Sequence, residues 1–228
     1  MLMRYLLFLL LAAMAAPVTA QRISRVDFDS VRAATTTAQS PYYYATLLRR
    51  FQAADTTLRP LDFKYLYYGQ VYTKQYQPYG ADQADNFRTL FQQQKWREAI
   101  PIGEKALAKD PLNLRLIFQL LVCHYSLGEK AQARQYAQQY FPIIQAIIAS
   151  GDGKGVATAY VVAVVHDEYA VLQALNLTSH RQALVGHTDV LTATPVDDQG
   201  KPTGAPDQEV YFDITKPFSS LGGLLKGK

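Results

Sequence analysis

The chain has 228 residues, a formal net charge of +4 and hydrophobic side chains at 49% of positions, enough apolar material for a buried core. Its single cysteine excludes an intrachain disulfide; set among Leu120, Leu121 and Val122, Cys123 reads as a buried thiol. Arg4, Lys226 and Lys228 put positive charge at the two ends and leave no basic stripe, which excludes nucleic acid as a partner.

Residues 1–20 read as a signal peptide. Arg4 precedes an apolar run from Tyr5 to Met14, and Val18-Thr19-Ala20 places small residues ahead of a cleavage point near Gln21. The run is too short for a bilayer core of ~30 Å, which takes about 20 apolar residues, so no membrane span is expected after its removal. The expected location is periplasmic or extracellular. Residues 21–150 then read as a helical region, and residues 151–228 as a small β region of the same compact unit.

Helical signals begin at Asp27-Phe28. Ser40-Pro41 offers a cap with proline at the first helical position, ahead of Tyr44, Leu47, Leu48 and Phe51 at spacings of three and four. After Asp55-Thr56-Thr57, a helix with Leu61, Tyr65, Tyr68 and Tyr72 on one stripe carries Phe63, Leu66, Tyr67 and Val71 around the rest. A helix apolar on all sides belongs in the core. Four more helices follow by period, near 83–93, 96–109, 113–127 and 129–149.

These four carry a repeat of period 34. Ala99 returns as Ala133, Gly103 as the equally small Ala137, and Phe87 and Phe91 as Leu121 and Tyr125. Asp110-Pro111 closes the first copy where a tetratricopeptide-type pair places its proline, and Gly128 ends a helix at its C′ position. Such helical pairs are surfaces for holding other molecules. Two copies leave both ends of the stack uncovered, so the tyrosine-rich helices are expected to cap one end and the C-terminal region the other.

The period changes at Gly151-Asp152-Gly153-Lys154-Gly155. Tyr160 to Val165 and Tyr169 to Leu172 read as two strands joined by His166-Asp167-Glu168. Leu184 to Thr194 and Glu209 to Ile214 read as two more, and Asp197-Asp198-Gln199-Gly200-Lys201-Pro202 as a loop between them. The tail from Lys216 is expected to be loosely ordered beyond Leu221. The fold class expected is α+β: tetratricopeptide-like helical hairpins, then a small antiparallel β-meander packed on the last helix.

Chemistry-bearing motifs are few. The glycine run lacks the Gly-Lys-Ser/Thr ending of a phosphate loop and stands where a helix passes into a strand, the reverse of what that loop needs. Calcium would need alternating acidic oxygens, and Asp152 is alone. Cys123 and His124 are consecutive on a helix and diverge, and no Gly-x-Ser-x-Gly elbow occurs. The candidates that remain are His166, Asp167 and Glu168, with His187 and Asp189 at a strand spacing of two, and His180 as a third imidazole. More than half of the sixteen tyrosines fall between Tyr42 and Tyr79. Tyr44, Tyr65, Tyr68 and Tyr72 read as packing, while Tyr42, Tyr43, Tyr76 and Tyr79 lie at element ends and read as a contact surface.

The set Tyr42-Tyr43-Tyr44, Leu47, Arg50-Phe51 and Asp55 to Leu58, with Tyr65 to Gly69, is distinctive in combination with Gly151-Asp152-Gly153, Glu168 to Leu172 and Tyr211 to Ile214. From about Phe28 to Phe218 it resembles an uncharacterised family of exported proteins, mainly of Bacteroidota, described only as a domain of unknown function. The resemblance implies a bacterial, exported protein built on tetratricopeptide-like helices, and it carries no catalytic residues over. The function expected is a non-enzymatic cell-envelope module that binds another protein or a peptide, with no catalytic or metal residue assigned and no cofactor. The alternatives are a metal-dependent or acid/base hydrolase using His166 and His187, and a carbohydrate-binding protein using the exposed tyrosines.

Overall fold

In the computed structural model, residues 26–79 and 85–226 are described; the signal-peptide segment lies outside them. Among the described residues, helices α1 (Phe28–Thr36), α2 (Tyr44–Gln52) and α3 (Pro60–Gly69) come first. The two hairpins α4 (Asp85–Gln92) with α5 (Trp96–Leu107), and α6 (Leu114–Ser126) with α7 (Lys130–Ile148), follow. Next come β1 (Tyr160–Val161), α8 (Asp167–Ala174), β2 (Leu177–Val185), β3 (Thr188–Pro195), β4 (Gln208–Asp213) and α9 (Thr215–Lys226). The class is α+β, with helices α1 to α7 ahead of the sheet, α8 between β1 and β2, and α9 after β4.

Local chemistry explains several of the helix starts. The Asp27 carboxylate accepts from Asp29 N and Ser30 N and caps α1, and the Asn113 side chain accepts from Leu116 N and caps α6. Pro60 opens α3 at the first turn, where its missing N–H costs nothing. Ser40-Pro41 does not open α2, contrary to the sequence expectation: residues 40–43 form turns, Tyr43 N bonds back to Ser40 O, and the helix starts at Tyr44.

The repeat positions are where the hairpins touch. Ala99 and Ala137 are buried, and Gly103 lies so close to the facing helices that a Cβ there would stand 2.6 Å from the Phe87 ring and 3.0 Å from Leu120. A small residue at this crossing is therefore a steric requirement. Helix α3 is buried through Phe63, Leu66, Tyr67, Tyr68 and Gly69 and packs against α1, α2 and α7, as its all-round apolar surface demands. One apolar cluster runs from Val31 and Leu47 through Tyr67, Ile117 and Ile143 to Leu191 and Phe212, joining the helices to the sheet, and smaller clusters around Phe87 and Leu121 fill the hairpins.

The sheet departs from a pure meander. Its order is β1-β4-β3-β2: the pairs β2–β3 and β3–β4 are antiparallel, but β1 runs parallel to β4 with Tyr160 opposite Phe212. Reaching β4 from the end of α7 takes a tight bend, in which Gly153 (φ +66°) uses the left-handed region and gives its carbonyl to Tyr211 N.

Three readings of this half are corrected. The hairpin expected over residues 160–172 does not form. Only Tyr160 and Val161 are strand, and Asp167 to Leu172 lie in helix α8, whose first turn holds the acidic pair the sequence assigned to a loop. The β-branched run was a false strand signal, because Val162 and Ala163 are buried by contacts with residues distant in sequence. The stretch 184–194 is two strands, divided by a turn in which Gly186 (φ +63°) precedes His187. Beyond Leu221 the backbone remains helical as far as Lys226.

Candidate functional site

A cavity of about 710 Å³ opens where four segments meet: α2, the stretch after α3, the α5–α6 turn with the start of α6, and α8. That size is in the range of pockets that hold small ligands. Its buried end is formed by Gln70, Leu112, Leu114, Tyr140 and Asp167, with half-buried Tyr44, Tyr76, Asp110 and Phe118 beside them. Its exposed end carries Lys109, Arg115 and His166 together with Gln75, Gln77 and Gln173. Asp167 and Tyr140 thus lie deep, Asp110, Tyr44, Tyr76 and Phe118 partway in, and cations lie at the mouth.

Asp167 is held by a hydroxyl from another layer. The Tyr67 phenol donates to Asp167 Oδ2 at 2.8 Å and accepts from Ala163 N at 3.0 Å, so one buried side chain satisfies two groups about a hundred residues away. Neighbouring tyrosines fix the same segment: the Tyr68 hydroxyl donates to Val161 O at 3.0 Å, and the Tyr76 hydroxyl to Ala163 O. Burial raises the Asp167 carboxyl to about 7, Asp110 adding to the rise while the Tyr67 hydrogen bond opposes it. Position in the first turn of α8 favours the charged form by only ~0.3–1 kcal/mol, so desolvation prevails. Asp110 is itself raised by burial, with its Asn113 hydrogen bond opposing, and lies near enough to raise the Tyr44 phenol as well.

Glu168 points to the opposite side of α8 and is fully buried against Asp189 of β3. As an ionised acceptor it has no donor for either oxygen; protonated, it donates to Asp189. Burial and the facing Asp189 push it up to about 9, which keeps that proton on at neutral pH. Asp189 also accepts from Gln182 Nε2 at 2.8 Å. The pair ties α8 to the sheet and is structural.

The remaining sequence candidates disperse. His166 lines the mouth of the cavity, whereas His187 is exposed in the β2–β3 turn with its ring 4.5 Å from that of Phe218 and is not among the lining residues. His180 bonds Asp207 Oδ2 at 2.9 Å on the surface. Among the described residues no three His, Cys, Asp or Glu side chains converge as metal ligands do. Tyr42 is half-buried and stacks on Tyr65 at 4.3 Å, Tyr43 is half-buried at the start of α2, Tyr76 lines the cavity, and Tyr79 is exposed.

Sequence reasoning missed Tyr67, Asp110, Phe118 and Tyr140 as site residues. Asp110 was visible as a turn residue beside Pro111, but nothing local marks it as facing a second carboxylate. Tyr67 read as one more apolar position on α3; its partners are set only by the fold.

The arrangement can hold a ligand in a partly aromatic, acidic pocket. It can also keep or release a proton at Asp167 near neutral pH. The chain belongs to a family described only as a domain of unknown function, DUF4919, whose match spans residues 29–221. No curated protein and no solved structure matches it significantly.

Proposed function

We propose that this chain is an exported binding module that receives a segment of peptide in the cavity between the α5–α6 turn and α8. The observation that carries this reading is the cavity of about 710 Å³, lined by tyrosine, phenylalanine, leucine and glutamine side chains with Asp167 at depth and Asp110 half-buried beside it. Such a mixture gives apolar contact area together with hydrogen-bonding groups that fix orientation. The two-copy helical repeat that bounds the site supports the same reading, since such arrays generally present binding surfaces. Export rests on residues 1–20 and places the partner in the periplasm or outside the cell.

Selection from a random peptide library on the immobilised full chain tests this. Ala170 lines the cavity and is half-buried, so Ala170→Trp fills the space without opening a core. Peptides recovered with the parent chain are expected to lose at least about tenfold in affinity for the variant, the loss of one well-packed anchor. Equal binding to both would overturn the proposal.

A second reading, acid–base hydrolysis, is favoured by one observation: a cavity carboxyl poised at about 7 next to a second acid. It requires turnover of chromogenic peptide or glycoside substrates that disappears in Asp167→Asn. Absence of turnover across both substrate sets would remove it.

A further inference from the structure

The distribution of charge and rings inside the cavity points to the chemistry of what enters it. We propose that its deep end is a recognition site for a cationic amine or guanidinium group, seated among Tyr44, Phe118 and Tyr140 and paired with Asp167 and Asp110. This rests on the peptide-binding reading of the same cavity and names the group on the ligand that confers affinity.

Three observations carry it. First, among the described residues the acids lining the cavity are Asp167, buried at its deep end, and Asp110, half-buried beside it, while Lys109, Arg115 and His166 stand at the exposed end. An anion reaching the deep end would meet two carboxylates, whereas a cation meets opposite charge there. Second, acceptors with spare capacity lie at depth and close by. Asp167 is 5% exposed and takes its one hydrogen bond from the described residues at Oδ2, from Tyr67. In an adjoining cavity of about 250 Å³, which shares Gln52, Ala108 and Pro111, Gln139 Oε1 is buried with no donor, its Nε2 being committed to Phe51 O. Ammonium and guanidinium groups are donors only, and so complement such a surface. Third, aromatic faces beside a carboxylate stabilise a desolvated cation through the ring quadrupole, an effect that grows as water is excluded.

The pairing also gives a role to the raised Asp167 carboxyl. Around it stand Tyr67, Tyr68, Tyr76 and Tyr140, Asp110 across the cavity, and Glu168 beside it on α8. None of these groups is a cation, and burial keeps the carboxyl partly protonated at neutral pH. An arriving cation favours the ionised form, so binding expels a proton from Asp167.

The test uses the full chain and three probes: n-butylammonium, Nα-acetyl-lysine N-methylamide and the neutral Nα-acetyl-norleucine N-methylamide. Calorimetry in two buffers of different ionisation heat reads affinity and proton release together. Both cationic probes are expected to bind at least about tenfold tighter than the norleucine compound, with net proton release at pH 6.5. Tighter binding of the lysine compound than of butylammonium assigns the cation to a peptide side chain; equal binding assigns it to a free amine. Asp167→Asn is expected to abolish both the preference and the proton release. Should that variant fail to fold, Asp110→Asn, at a half-buried position, is expected to lower cation affinity about threefold or more. Norleucine binding equal to lysine binding overturns the cation assignment while leaving the peptide pocket standing. Silence from all three probes overturns the assignment as well, and the library selection then judges the pocket by itself.

Discussion

The helical repeat and the junction after it are held together by different physics. In residues 85–148, neighbouring helices meet through small side chains at fixed spacing: Ala99, Gly103, Ala133 and Ala137 let the rods approach, and Phe87, Leu120 and Leu121 fill the space between them. The contacts are near in sequence and apolar. In residues 150–168 the backbone is short of regular partners, and three tyrosines of the 67–76 segment supply them. Tyr67, Tyr68 and Tyr76 bond Ala163, Val161 and Asp167 across roughly ninety to a hundred residues. A periodic pattern tolerates a fault at one position. A junction held by single hydroxyls does not, and it is the junction that borders the cavity.

That contrast can be broken or sharpened by four measurements. The largest effect is expected for Tyr67→Phe, which leaves a buried carboxyl and the Ala163 N–H without their shared partner. The loss is about 3 kcal/mol of unfolding free energy, read by denaturant titration. A loss below ~1 kcal/mol would mean that water or backbone motion repairs the site, and the contrast would fail.

Next is the pH response of the same junction. Asp167 and Glu168 sit at about 7 and about 9 when folded, against 3.8 and 4.5 ordinarily. The folded chain therefore holds these protons more tightly than the unfolded chain does. The associated stability is complete below about pH 4 and is lost as pH rises through 7 and then 9. The melting temperature is expected to fall by at least about 5 °C between pH 5 and pH 8, since each carboxyl costs up to ~1.4 kcal/mol per pH unit over the range in which only the folded chain holds its proton. Glu168→Gln keeps the shape and a donor toward Asp189, so it is expected to flatten the decline above pH 7. An unchanged slope in that variant would remove Glu168 as its source.

Changes in the repeat are expected to be milder. For Gly103→Ala, crowding of the Phe87 ring costs ~2 kcal/mol and is offset by ~1 kcal/mol of better helix propensity, leaving a net loss of about 1 kcal/mol. Asn113→Ala removes the cap on Leu116 N at the start of α6 and is expected to cost somewhat less, about 0.5–1 kcal/mol. Either variant costing more than Tyr67→Phe would reverse the ranking of the two regions.

The same division explains what could be read in the sequence. The repeat helices were legible to within about two residues, because their periodicity, the Asp110-Pro111 turn and the stop at Gly128 are local signals. Helix α8 was not. Tyr169 to Leu172 is β-branched and aromatic enough to suggest a strand, yet buried Val171 and Leu172 pack into a helix whose first turn is fixed by Tyr67. Of the site, Asp167 was found from the run His166-Asp167-Glu168, though through the wrong element. Asp110, Tyr140 and Phe118 are brought to it only by the packing of the hairpins on α8. Long-range polar pairing leaves no periodic trace, so this part of the site required coordinates.

The central claim is that the cavity between the α5–α6 turn and α8 is where a ligand sits. The most direct measurement is a two-dimensional NMR titration of the full chain with a peptide recovered from the library, following backbone amides. Shifts are expected to concentrate at residues 44–52, 70–77, 108–118 and 164–173 and to leave the outer strand β2 unmoved. Shifts confined to β2 or to the exposed faces of α1 and α2, with the cavity silent, would contradict it.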